Sequence, residues 1–237
     1  MKVTKIAVLL LILISTTSCM FNGFGIRGNG NVETENRKIT SSFNAIKVSQ
    51  GINLYLSQGS DIDLSVEADE NILDLLVTEV EGDVLKIYFD KNVSRATRNV
   101  YLTATKINSI RTTSGASVKS EGMIKTKSIS LDSSSGSDMK LNINAQDIEC
   151  STSSGADIYL TGTTVSFEGD ASSGSNIDAD KLKAETSIVE VSSGASINVY
   201  ASKEITAQAS SGGDIDYYGN PTIVNKSKSS GGSVSKN

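Results

Sequence analysis

Three kinds of side chain in this sequence have types and spacings that could do chemistry: a recurring acid, abundant serines and a few tyrosines. The acids are Asp138, Asp157 and Asp214, each two residues after a glycine. Gathered on one face, such carboxylates would supply the base of a polysaccharide-cleaving β-helix enzyme, or oxygen ligands for Ca2+. Ser117, Asn176, Ser196 and Ser233 hold the same position after other glycines, so the carboxylates form no dense cluster. Ser, Asp and Asn share the ability to bond to nearby turn backbone, which is the simpler reading of the column. Calcium binding by glycine-rich nonapeptides needs a shorter period and a Gly-Gly-x-Gly-x-Asp signature that is missing here. Serine hydrolysis wants a histidine base and often a G-x-S-x-G elbow, and the chain has neither. A Ser–Lys dyad has residues to draw on, but nothing singles one out. Without histidine, zinc and copper sites also lose their usual ligand. Tyr159, Tyr200 and the pair Tyr217-Tyr218 could stack on sugars, or simply pack across strands. The sequence therefore designates no catalytic residue, no cofactor-binding residue and no metal ligand.

One cysteine carries a different chemistry. Lys2 and Lys5 precede the apolar run Ile6–Ile14, and Ser15-Thr16-Thr17-Ser18-Cys19 follows it. Nine apolar residues are too few to span a bilayer as a helix, which takes roughly 20. They match the h-region of a secretory signal. The small residues ending in Cys19 resemble the lipobox of bacterial lipoproteins, in which the thiol of the first mature residue is diacylated. Two acyl chains anchor a protein stably where one holds it marginally. Plain secretion with an incidental cysteine is the alternative. The expectation is a signal peptide over residues 1–18, lipidation at Cys19 and a flexible tether over residues 19–36, rich in Gly and Asn.

Charge and cysteine usage narrow the rest. Without Lys2 and Lys5, 20 basic residues stand against 27 acidic ones, a net of −7. Nucleic-acid binding, which needs a basic footprint, is disfavoured. With Cys19 acylated, Cys150 has no disulfide partner and is expected to point inward as a small hydrophobe.

The elements that position these residues come from an internal repeat. Ser/Thr-Ser-Gly, two small or polar residues and an aliphatic recur as TSGASV at Thr113, SSGSDM at Ser134, SSGADI at Ser153, SSGSNI at Ser172, SSGASI at Ser192, SSGGDI at Ser210 and SSGGSV at Ser229. The glycines are separated by 21, 19, 19, 20, 18 and 19 residues. Three positions after the glycine stand Val118, Met139, Ile158, Ile177, Ile197, Ile215 and Val234, apolar in every copy. Leu141, Leu160, Ala179, Val199 and Tyr217 follow two positions later, and Ile129/Leu131, Ile148/Cys150 and Val165/Phe167 repeat the spacing before the signature. Spacing two marks strands with one buried face. Bends are expected at the glycines and at Thr161-Gly162-Thr163.

A period of about 19 residues is too short for a propeller blade and lacks helical periodicity. It suits one coil of a β-solenoid, each coil pairing with those above and below at roughly 4.8 Å. The fold class is therefore all-β: a single-domain, parallel β-helix-like solenoid over residues 37–237. Residues 112–237 hold the seven repeats and residues 37–111 form a less regular, strand-rich part that caps the apolar end. Asp69–Leu76 is expected as one short helix with Asp69 as N-cap. In the last copy Lys226, Lys228 and Lys236 replace inward-type residues, which blunts a terminal strand edge.

Phe43-to-Val48, then Gly51-Ile52-Asn53 with the alternating Leu54-Tyr55-Leu56, and the later Ser-Gly repeats resemble the head GIN domain over roughly residues 40–220. That family is labelled as auto-transporter adhesin heads and is common in lipoproteins of Bacteroidetes-type bacteria. The resemblance implies a non-enzymatic envelope lipoprotein, at the outer membrane, binding glycan or an envelope or extracellular protein through a repetitive face. It brings no catalytic residues and no cofactor. A second reading is a periplasm-facing structural or sensing lipoprotein with a protein partner. The acid-free stretch Met20–Gly25 favours it, because surface lipoproteins of Bacteroidetes often carry an acidic signal there. A polysaccharide-acting enzyme is the third and weakest reading.

Overall fold

Alternating aliphatic and polar residues become two walls of stacked strands in the computed structural model, which describes residues 25–237. Its first strands are β1 (Ile26–Arg27), β2 (Val32–Asn36), β3 (Ala45–Val48), β4 (Asn53–Gln58), β5 (Asp63–Asp69), β6 (Leu76–Glu81), β7 (Val84–Phe89), β8 (Val93–Ser94) and β9 (Arg98–Ala104), with helix α1 (Glu70–Leu73) between β5 and β6. The repeats supply β10 (Ser109–Thr112), β11 (Ser117–Lys125), β12 (Ser128–Ser134), β13 (Asp138–Ser153), β14 (Asp157–Ala171) and β15 (Asn176–Val191). They end with β16 (Ser196–Tyr200), β17 (Glu204–Ala209), β18 (Asp214–Tyr218), β19 (Ile223–Lys228) and β20 (Ser233–Lys236).

One wall runs from β7 through β3, β10, β12 and the second halves of β13, β14 and β15 to β17 and β19. The other runs from β9 through β4, β11 and the first halves of β13, β14 and β15 to β16, β18 and β20. Every pairing along both walls is parallel, so the molecule is the expected β-solenoid. Antiparallel pairs occur only in the N-terminal part, where β2 and β9 flank β5 and β6 pairs with β7.

Register turns the sequence columns into a core. Val100, Leu54, Val118, Met139, Ile158, Ile177, Ile197, Ile215 and Val234 stack as one buried column. Burying each such side chain contributes about 1.5–3 kcal/mol, and no single coil could bury its own share. In the opposite wall Ile129, Ile148, Phe167, Ser187 and Ile205 form a second column, beside Leu131, Cys150, Gly169, Val189 and Ala207. Cys150 is buried, as its place in the repeat required. Val165 departs from expectation. It is 49% exposed, because Thr164 takes the inward position at that corner and donates its hydroxyl to the carbonyls of Gln146 and Ser166.

The corner between the walls is built from two left-handed residues rather than one. Ser135 (φ 58°) and Gly136 (φ 66°) are followed by the same pair in every later copy. Each serine gives up the conformation that L-residues prefer. In return the corners stack: Gly136 N–H donates to the Ser154 carbonyl at 3.1 Å, and Gly155 N–H to that of Ser173 at 3.2 Å. The residue after the glycine is Ala116, Ser137, Ala156, Ser175, Ala195 or Gly213, buried in each of these copies, while Gly232 of the last copy is half-buried. Where space is tightest only glycine fits; a Cβ at Gly232 would lie 2.3 Å from the Ala209 carbonyl oxygen.

Gly51-Ile52-Asn53 proves to be an earlier rung of the same ladder. Gln50 and Gly51 are both left-handed, Gly51 N–H donates to the Ser114 carbonyl at 3.0 Å, and Asn53 and Leu54 pair in register with Ser117 and Val118. The excursion through β5 to β9 separates this copy from the next and hides it in the sequence.

Two expectations need correcting at the N-terminal end. Within the stretch expected to be tether, residues 25–36 contain β1, paired with β8, and β2, paired with β5. The helix is shorter than expected: α1 spans Glu70–Leu73, and Leu76 already begins β6. Asp69 stands at the N-cap without a side-chain capping bond. Its buried carboxylate instead accepts the Thr97 N–H at 2.6 Å and the Gly30 N–H, stitching the arm that carries β1 and β2 to the cap. The expectations for residues 1–24, the signal peptide and Cys19 among them, lie outside the described residues. No helix of the described residues is long and apolar enough to cross a membrane.

Candidate binding face

Since alternate residues of each strand point outward, coil stacking lines up two outward columns on the wall that holds β4 and β11. The residues two after each corner glycine align as Asn53, Ser117, Asp138, Asp157, Asn176, Ser196, Asp214 and Ser233. Two positions further along each strand stand Tyr55, Lys119, Lys140, Tyr159, Asp178, Asn198, Asp216 and Ser235. Asn99 and Tyr101 of β9 extend both columns beyond β4.

The acids named from the sequence separate into a pair and a single. Asp138 and Asp157 are direct neighbours, and burial, then the Asp138 charge, raise the Asp157 pKa. Asp214 lies three strands from Asp157, with Asn176 and Ser196 between them. Those two satisfy each other, Ser196 Oγ donating to Asn176 Oδ1 at 2.9 Å. Among the described residues no three carboxylates, thiols or imidazoles are grouped so as to hold a metal ion.

The aromatic part of the face lies at the end that carries Gly51-Ile52-Asn53, away from the tyrosines that the sequence singles out. Tyr55 and Tyr101 stack with centroids 5.0 Å apart and planes 14° from parallel. Lys119 Nζ sits 6.0 Å from the Tyr55 ring and donates to Glu121 at 2.9 Å. Beside the rings runs a polar chain: Asn53 Nδ2 donates to Asn99 Oδ1 at 3.0 Å, and Asn99 Nδ2 to Glu67 Oε2 at 2.8 Å. The Tyr101 hydroxyl donates to the same carboxylate oxygen at 3.3 Å. The signal was available: Tyr55 and Tyr101 are both outward residues of alternating strands, but their pairing needs register that one sequence does not supply.

Of the tyrosines expected to face outward, Tyr159 does, at 41% exposed, and the Asp157 charge, then burial, raise its pKa. Tyr200 and Tyr218 are register neighbours and half-buried, with Lys183 Nζ 3.8 Å from the Tyr200 ring centre. Tyr217 belongs to the core, 4% exposed beneath Lys226. The face therefore offers stacked rings, amides, hydroxyls and carboxylates in rows one strand spacing apart. Such rows can hold a ligand by hydrogen bonds and ring contacts.

A family described as "Putative auto-transporter adhesin, head GIN domain" matches residues 42–221. Solved structures share the fold. A protein of Bacteroides fragilis described as a "putative adhesin" is 23% identical with a TM-score of 0.80, covering 90% of this chain and 100% of that one. A "Putative lipid binding protein" from Parabacteroides distasonis is 28% identical with a TM-score of 0.69, covering 90% of this chain and 99% of that one. A "putative adhesin" from Parabacteroides merdae is 18% identical with a TM-score of 0.72, covering 90% of this chain and 98% of that one. No curated protein matches the chain.

Proposed function

The chain belongs to the head GIN domain family, and on that premise we propose that it is a non-enzymatic adhesion module of the cell envelope. In this reading a lipid on Cys19 holds it to the outer membrane, and the outward face of the solenoid binds glycan or an extracellular protein. The observation that carries it is the row of stacked Tyr55 and Tyr101 beside the Asn53–Asn99–Glu67 chain. Sugars are held by this combination of ring contact and planar polar groups. A repetitive face adds weak contacts by multivalency. The lipid-binding description of one similar structure is not carried over: the coil interiors here are packed with buried, mostly aliphatic side chains that contact one another.

The second reading, a periplasm-facing structural or sensing lipoprotein with a protein partner, is favoured by the absence of acids in Met20–Gly25. Protease shaving of intact cells, with a tag inserted near Ser233, separates the two. Loss of the tag while periplasmic markers survive supports display, and a glycan and matrix-protein screen comparing the native chain with Y55A/Y101A follows. A tag that survives until the outer membrane is permeabilised sinks the adhesion reading and directs the search to periplasmic partners by crosslinking.

A further inference from the structure

We propose that Arg27, Lys91 and Arg95 seat the N-terminal end of the solenoid on the anionic headgroups of the membrane that carries its anchor; this rests on the reading of Cys19 as the lipidated residue. The argument begins with chain length. Gly25 is held in place, its carbonyl accepting the Ser94 hydroxyl at 3.1 Å, and the Ile26 N–H donates to the Asn92 carbonyl at 2.8 Å. Six residue steps separate Cys19 from Gly25. Fully extended, they reach about 20 Å at most. The residues that read as a long tether are largely folded into the cap, so the β1–β8 ribbon stays within that reach of the lipid.

The ribbon's chemistry suits the surface it must approach. Arg27, Lys91 and Arg95 are all exposed, and so is Ile26 at 40%. Among the described residues, none of the three cations joins an ion pair. Arg95 is held in the left-handed region (φ 44°), a conformation that strains any residue but glycine, and it keeps its charge at the ribbon's end. The acids nearby are Asp90, which precedes Lys91, Glu70, which accepts from Asn31 Nδ2 at 2.9 Å, and Asp69, which is buried beside Gly28 with its carboxylate taken up by the Thr97 and Gly30 N–H groups. Beyond this end the chain is acidic, so the ribbon reverses the sign of the whole beside its attachment point. Guanidinium groups match phosphate geometry, and basic residues next to a lipid anchor are drawn to an anionic leaflet. With this end seated, the coil carrying β19 and β20 stands at the far end of the stack.

The test uses the lipidated full-length chain, reconstituted into vesicles of phosphatidylcholine alone or mixed with phosphatidylglycerol. A nitroxide on Asn92→Cys, and on Ser227→Cys in a separate protein, reports accessibility to a water-soluble relaxation agent. Cys150 is buried and takes no label. The Asn92 probe is expected to lose most of its accessibility in the anionic vesicles only, with the Ser227 probe unchanged. R27E/K91E/R95E should abolish that loss while leaving the Ser227 probe's spectrum intact, which shows the coils still folded. Equal accessibility at Asn92 in both vesicle types, or a loss that survives charge reversal, overturns the seating alone. Recovery of the native chain in the aqueous phase of a detergent partition overturns the Cys19 reading and the seating together.

Discussion

Phe167 fills the space that Gly169 leaves empty: a Cβ on Gly169 would stand 2.9 Å from Phe167 Cε1 and 3.3 Å from Val189 Cγ1. The two occupy neighbouring inward positions on β14, one oversized for its column and the other lacking a side chain altogether.

Gly169→Ala is accordingly expected to overpack the core and destabilise the fold by about 1–3 kcal/mol. F167L/G169A should lose less than the two single variants together, because each change makes room for the other. Urea unfolding followed by circular dichroism measures both. Simple additivity would mean that the two sites do not share a space.

Cys150 gives a prediction in pH. Burial first, and the Asp132 charge second, push its thiol well above the ordinary range, so the folded chain keeps it protonated. The unfolded chain ionises it near pH 8.5. Its contribution is therefore constant below that value, and stability falls as pH rises above it. Cys150→Ala should flatten this alkaline limb. A thiol reagent should modify the native protein only as fast as it unfolds.

At the acid side the Asp138–Asp157 pair sets the sign. The Asp157 pKa is raised by burial and then by Asp138, so this group favours folding most below the unfolded carboxylate pKa of about 3.9 and less as pH rises through its folded value. Asp138→Asn removes the repulsion. The Asp157 titration, followed by NMR, should move down, and the variant should gain a little stability at neutral pH relative to acid. An unmoved titration would show that the two carboxylates do not feel each other.

The last coil makes the fourth prediction. Lys226 and Lys228 pair with the buried Ala207 and Ala209, and Lys236 with the buried Tyr217, so charge sits at inward positions of an uncovered edge. K226V/K228V/K236L should expose an apolar, unpaired edge and drive self-association, visible as a concentration-dependent rise in sedimentation coefficient. A variant that stays monomeric would show that the lysines are not what keeps this edge from pairing.

The fold was legible because its determinants are local and repeated. Ile158, Ile177 and Ile197 mark the core by spacing alone, and Gly155, Gly174 and Gly194 mark the corners. What a single sequence does not show depends on register between distant segments. Gln50-Gly51 does not read as a corner, since glutamine replaces serine and Ile52 replaces a small residue. The Tyr55–Tyr101 stack joins strands whose order in space differs from their order in sequence. Asp69 matched the pattern of a helix cap, yet the Thr97 and Gly30 amides claim its carboxylate, and neither is near it in the chain. The Gly/Asn-rich composition of residues 25–36 is that of a linker, and only pairing with β5 and β8 makes it strand.

Because the corners of the seven repeats use the same Ser-Gly pair and each but the last donates its glycine N–H to the serine carbonyl of the next, the number of coils is not fixed by any one of them. Inserting one unit of about 19 residues would lengthen the molecule by one strand spacing, roughly 4.8 Å, and add one rung to each outward column without disturbing the rest. Reach and the number of contact points would rise together, in equal steps, from duplication of a single short segment of the gene.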